Sequence, residues 1–265
     1  MTADPAPLHA QHVGETGETV VFLHGLFGQG KNFTQIAKAL TPDLQSELVD
    51  LPNHGASEWT ETFDYVEQAD IVAEHLRSTV ASDGPVHLLG HSMGGKVAMV
   101  LALRHPELVS RLAVVDISPV AHESMADFDH LISSLSRIDL DRLSSRGEAD
   151  EFLQEPIPEK MVRGFLLQSL VRSGDGFRWR VNLDLLHKSL PAIGDFPEFD
   201  GEQFDGPVLW IAGANSGYVQ DEYESAMRKL FPLVSQTTIK DAGHWVHAEK
   251  PEVFTTLLRA FFTAD

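Results

Sequence analysis

The chain has 265 residues, 43% of them hydrophobic, which suits one large α/β domain or a core domain carrying an insertion. Its formal net charge of −19 argues against nucleic acid and anionic membranes as partners, since both need a basic patch. The absence of cysteine removes disulfides, a thiol nucleophile and any Cys-ligated metal.

No apolar run approaches the ~20 residues of a membrane helix. Met1-Thr2-Ala3-Asp4-Pro5-Ala6-Pro7 has neither the basic region nor the apolar stretch of a signal peptide, so a cytoplasmic location is expected. Residues 19–23 are apolar and β-branched, a strand that runs into the loop His24-Gly25-Leu26-Phe27-Gly28. A helical pattern over 32–40 stops before Pro42. A second strand follows at 47–50 and a long helix at 64–80. The run 85–89 is a third strand, leading directly through Gly90-His91-Ser92-Met93-Gly94 into a helix over 95–103. Residues 112–117 form another buried strand.

The alternation of strand and helix then stops. Residues 120–205 read as helical and polar, punctuated by Pro156, Pro158, Pro191 and Pro197, and at roughly 80 residues the segment is too long for a loop. The pattern resumes with a strand at 208–213, a helix near 220–230, a strand at 237–240 and a helix at 252–262. The order predicts an α/β fold: a mostly parallel central sheet flanked by helices. The core is 1–119 with 206–265, and 120–205 is a helical cap inserted after the strand that ends at Asp116.

A G-x-S-x-G run carries chemistry when it joins a strand tightly to a helix, because the turn exposes the serine and its glycines allow close backbone approach. Gly90 to Gly94 meets that condition, so Ser92 is the candidate nucleophile. A serine hydroxyl needs a general base. Among 13 histidines, His244 in Asp241-Ala242-Gly243-His244-Trp245 follows the last strand, where such a group converges on the nucleophile. His247 is its competitor. His75, His87 and His105 lie in regular elements and are read as structural, and His91 is expected to point away from the site.

The acid is less plainly marked. Many enzymes of this architecture place it after the strand ending here at Gly213, yet Ala214-Asn215-Ser216-Gly217 offers no carboxylate before Asp221. Asp116 is preferred, giving the chain order Ser, Asp, His, with Asp184 and Asp221 left open. The oxyanion donors are assigned to the amides of Met93 and Leu26. Phe27 and Met93 line the acyl side, His24 and Trp245 are candidate substrate contacts, and Trp179, Phe128 and Phe165 line the pocket or simply pack the helices. The glycine loop at 25–28 lacks the third glycine and the ribose-binding acid of a dinucleotide site. No metal-ligand spacing is present: there is no H-E-x-x-H, and His244 with His247 is too little for zinc.

Taken together, His24-Gly25-Leu26-Phe27-Gly28, Asn53-His54-Gly55-Ala56-Ser57, Gly90 to Lys96, Asp116-Ile117-Ser118-Pro119-Val120 and Trp179-Arg180-Val181-Asn182 resemble the YbfF-type esterase branch of the α/β-hydrolase superfamily. Asn215-Ser216-Gly217-Tyr218-Val219 and Gly243 to Pro251 extend the resemblance. It departs at Leu51-Pro52, where an arginine is usual before the Asn-His-Gly run. The resemblance implies carboxylesterase activity on small acyl esters, no cofactor, a helical cap over the site and Asp116 as the acid. Lactones would meet the same machinery. Transfer of the acyl group to an alcohol is the alternative reaction, and a ligand-binding receptor on a hydrolase fold is the alternative class. The expected partner is a small-molecule ester, and nothing marks an oligomer face.

Overall fold

A computed structural model describes residues 8–122 and 124–264. The chain opens with β1 (Ala10–Val13), β2 (Glu18–Leu23), α1 (Thr34–Leu40) and β3 (Leu44–Val49), followed by α2 (Tyr65–Ser78), β4 (Val86–His91), α3 (Met93–Arg104) and β5 (Val109–Val115). The insert carries α4 (Ala126–Ser136), α5 (Arg146–Leu153), α6 (Lys160–Leu166), β6 (Leu170–Ser173), β7 (Gly176–Trp179), α7 (Leu183–Lys188) and α8 (Leu190–Gly194). The core closes with β8 (Val208–Gly213), α9 (Glu224–Leu230), β9 (Val234–Ile239), α10 (Val246–Glu249) and α11 (Pro251–Phe262).

Seven strands form one sheet in the order β1-β3-β2-β4-β5-β8-β9. All its pairs are parallel except β1 with β3, which run antiparallel. This is the mostly parallel sheet flanked by helices expected from the strand–helix alternation, and the α/β-hydrolase arrangement that the resemblance implies. Side chains on these buried strands alternate between two cores, as period two requires. Val21, Leu23, Leu88, Leu112, Val114 and Trp210 join the core under α2 and α3. Val20, Phe22, Leu89, Ala113, Val115 and Ile211 join the core under α1 and α11. Helix α2 starts where Asp64 accepts the amides of Val66 and Glu67, a cap that fixes its register.

Several boundaries differ from the sequence reading. β1 was not expected: its four residues sit on the sheet edge, half exposed, and lack the apolar run that marks the central strands. β9 begins three residues before the expected strand, because its polar outer face hides the start. His105 ends α3 as its C-cap and is not within the helix. The insert is not purely helical. β6 and β7 pair antiparallel as a small second sheet, and Trp179 packs there opposite Leu170, buried in the core. A four-residue strand with a Gly-containing turn carries too little periodicity to read. Just after the hairpin the insert touches the core: His54 bridges Val181, and the Asn182 amide donates to the Asn53 carbonyl at 2.9 Å.

Candidate active site

Buried β4 must pass into α3 with no spare residue, and the turn is made by Ser92 at φ 54° and ψ −121°. Such a conformation is costly for a residue bearing a Cβ and persists only where neighbours impose it. Gly90 and Gly94 supply the room. A Cβ on Gly90 would strike the Gly94 carbonyl, and one on Gly94 would strike the carbonyls of Leu23 and His24. The Ser92 amide also donates to Val115 at 3.0 Å, tying the turn to β5.

From that turn the Ser92 hydroxyl reaches Nε2 of His244 at 3.0 Å, and Nδ1 of His244 donates to Oδ2 of Asp116 at 2.7 Å. The three groups come from the ends of β4, β5 and β9, so the sheet's parallel order brings them together at its carboxyl edge. Asp116, itself at φ 52°, is fully buried. A buried carboxylate needs several donors, and it has them. Ser216 donates its hydroxyl to Oδ2 at 2.5 Å, and the Gly213 amide donates to Oδ1 at 2.9 Å. The loop after β8, which lacks a carboxylate, instead serves the one on β5. Asp184 lies near the start of α7, in the insert, and Asp221 starts a 3₁₀ turn before α9. Neither shares a hydrogen bond with His244, whose Nδ1 is taken by Asp116.

The His244 loop is braced by Glu249 of α10, whose carboxylate accepts the amides of Gly243 at 2.8 Å and Trp245 at 3.3 Å. Tyr218 packs its ring 4.4 Å from that of His244. His91 does not point away from the site as expected. It lies beneath His244, donating Nε2–H to the His244 carbonyl at 2.8 Å. Burial, then the neighbouring His244 and His247, keeps its ring neutral. His247 packs against His91 and Phe33, and burial lowers its pKa to about 4.

Two further histidines shape the loop after β2. His24 donates Nδ1–H to Gly25 at 2.8 Å and accepts the Leu51 amide on Nε2 at 3.0 Å. His54 donates to the Pro52 carbonyl and accepts the Phe27 amide at 3.2 Å. Burial lowers His24 to about 4 and His54 to about 3, so both stay neutral and can accept. Phe27, at φ 65°, thus has its amide engaged. The preceding Leu26 amide donates to no acceptor among the described residues, and Met93, first residue of α3, has no intrahelical acceptor for its own.

A small cavity of about 30 Å³ adjoins Ser92 and His244, walled by Phe27, Phe128, Phe165 and Trp245. That is room for about two water-sized groups. It shares Phe165 and Trp245 with a groove of about 540 Å³ between α1, α6 and α10. On the other side of Ser92 a second small cavity of about 20 Å³ is walled by Leu26, Met93, Ile117 and Lys96. His24, Phe27 and Trp245 therefore stand at the site, as do Phe128 and Phe165. Trp179 does not: it packs the insert's hairpin. Sequence reasoning missed Ser216, Glu249, His54, Tyr218 and Lys96. Only the motif resemblance held a signal for them, since every one lies inside a quoted run or beside one.

Comparison with known proteins agrees with this fold. The model of the Alpha/beta hydrolase family matches residues 20–257. The chain is 39% identical over 251 residues to an "sn-1-specific diacylglycerol lipase ABHD11" of Xenopus laevis, covering 92% of this chain and 80% of that protein. It is 31% identical over 242 residues to "Esterase YbfF" of Escherichia coli, covering 91% and 92%. The solved structure of a marine microorganism esterase superposes with a TM-score of 0.92 at 32% identity, covering 96% of this chain and 99% of that one.

Proposed function

The chain belongs to the Alpha/beta hydrolase family, within its esterase and lipase branch, and we propose that it is a carboxylesterase acting on small acyl esters through Ser92, His244 and Asp116. The observation that carries the reading is the continuous hydrogen-bonded chain from the Ser92 hydroxyl through His244 to Asp116. Its tautomer suits the chemistry, because Nδ1–H is committed to Asp116 and leaves Nε2 to accept the serine proton.

In this reading Ser92 Oγ attacks the ester carbonyl while His244 Nε2 takes its proton. Charge develops on the carbonyl oxygen, and the amides of Leu26 and Met93 are the donors assigned to it. His244 then gives its proton to the leaving alcohol, and a water that it activates releases the acid from Ser92. The cavity beside Met93 takes the acyl group, and its small volume favours a short one; Phe27, expected on the acyl side, then faces the alcohol instead. The cavity bordered by Trp245, which shares walls with the groove, takes the alcohol.

The test is hydrolysis of p-nitrophenyl acetate, butyrate and octanoate by the wild type and Ser92→Ala. The expected result is acetate or butyrate turnover that falls roughly 10³-fold or more in the variant. Equal rates for the two proteins, or no turnover of any ester by the wild type, would reject the proposal.

A further inference from the structure

Lys96 lies on α3 one turn beyond Ser92 and is 1% exposed. A buried ammonium must find partners, and its Nζ donates to three carbonyl oxygens: Gly194 at 2.7 Å, Asp195 at 2.7 Å and Val120 at 3.2 Å. These carbonyls sit at the two ends of the insert. Val120 follows β5, where the chain leaves the core, and Gly194 and Asp195 close α8, where it returns. The ends also bind each other, the His122 amide donating to Gly194 at 2.8 Å. From α2, the Tyr65 hydroxyl donates to the adjacent Ile193 carbonyl at 2.7 Å. This node also lines the small cavity beside Ser92, to which Lys96, Tyr65, His122 and Gly194 all contribute.

We propose that Lys96 is a positioning residue that ties both ends of the insert to the nucleophile's helix and so sets the width of the acyl cavity, restricting it to short acyl groups. This rests on the esterase reading above. Three hydrogens on the ammonium meet three carbonyls, a match that methionine abolishes at nearly the same length. Burial lowers the Lys96 pKa to about 7, opposed by Asp195. The groups that face it are Tyr65 from α2, His122 from the start of the insert, Asp195 from its end and Tyr218 across the cavity. A neutral amine has two hydrogens, so one carbonyl loses its donor and the tie weakens as pH rises through that value.

The experiment compares wild type, Lys96→Met and Tyr65→Phe by kcat/KM on p-nitrophenyl acetate and octanoate at pH 6 and 9. Hydrogen exchange is followed over residues 118–126 and 190–196 without substrate. In Lys96→Met the acetate-to-octanoate preference falls about 10-fold, mainly through a lower KM for octanoate, and loses its pH dependence. In the wild type the preference falls between pH 6 and 9. Any ionisation of the free enzyme that both esters require cancels from this ratio. Exchange rises about 10-fold at both ends of the insert and stays unchanged within α3. Tyr65→Phe shifts preference and exchange the same way by about 3-fold, and decides the matter alone if Lys96→Met does not fold. Wild-type preference and exchange in a folded variant would overturn the proposal. Inactivity of every protein on both esters would sink the esterase reading, while exchange still judges the tie.

Discussion

At the scale of single residues, the site is an exercise in satisfying buried polar groups. Asp116 has no solvent contact, and its charge rests on donors from His244, Ser216 and Gly213. Asparagine at this position would keep the volume but present an amide that no longer holds His244 with its hydrogen on Nδ1. We expect Asp116→Asn to fold and to lose about 10⁴-fold in kcat on short p-nitrophenyl esters. A loss below about 10-fold would remove Asp116 from the reaction. The histidines divide by the same logic. His24 and His54 use both ring nitrogens on backbone partners, which occupies them structurally and leaves His244 as the ring that touches serine. Position after a strand was readable for His244, whereas the occupations of the other rings depend on who lies opposite in space.

Among the elements, the β4–Ser92–α3 turn was the most legible because its needs are local. A strand, a helix and two small residues at fixed offsets are all recorded along the chain. The close approach behind it is tertiary. Gly94 faces carbonyls of the neighbouring strand β2, which cannot move without breaking the sheet. Gly94→Ala is expected to cost about 3 kcal/mol by overpacking and to lower Tm by roughly 10 °C, read by thermal unfolding. A Tm within about 2 °C of wild type would show that the turn has slack. The insert was the least legible element. Its hairpin and the docking of Val181 and Asn182 onto Asn53 and His54 are short pairings between distant segments, and hydrophobic periodicity does not report them. Two runs that look like separate motifs in the sequence turn out to be contact partners.

For the whole molecule, several buried neutral histidines make stability depend on pH. The folded-state pKa falls from 6.5 to about 4 for His24 and His247 and to about 3 for His54. Above pH 6.5 folded and unfolded rings are both neutral and contribute nothing. Below it the unfolded chain binds protons that the folded one refuses, so stability falls until pH nears the folded values. Each ring can remove up to about 1.4 kcal/mol per pH unit over that window. Easing of repulsion within a chain of net charge −19 works in the opposite direction. The histidine effect is expected to win because it concerns buried groups, and the urea midpoint should drop between pH 7.5 and 5.0. A midpoint that holds or rises over that range would mean that surface charge dominates.

The sequence by itself determined the α/β alternation, the parallel core strands, the long insert, the serine turn and the histidine after the last strand. Each depends on residues near one another in the chain, where strand and helix periods and tight turns leave their marks. Tertiary structure decided the rest: that Asp116 rather than Asp184 or Asp221 meets His244, that Ser216 and Glu249 support the pair, that Trp179 is hairpin core, and that Lys96 gathers both ends of the insert. Those outcomes follow from which strand ends a parallel sheet sets side by side, and hydrogen bonds across such distances have no period along the chain.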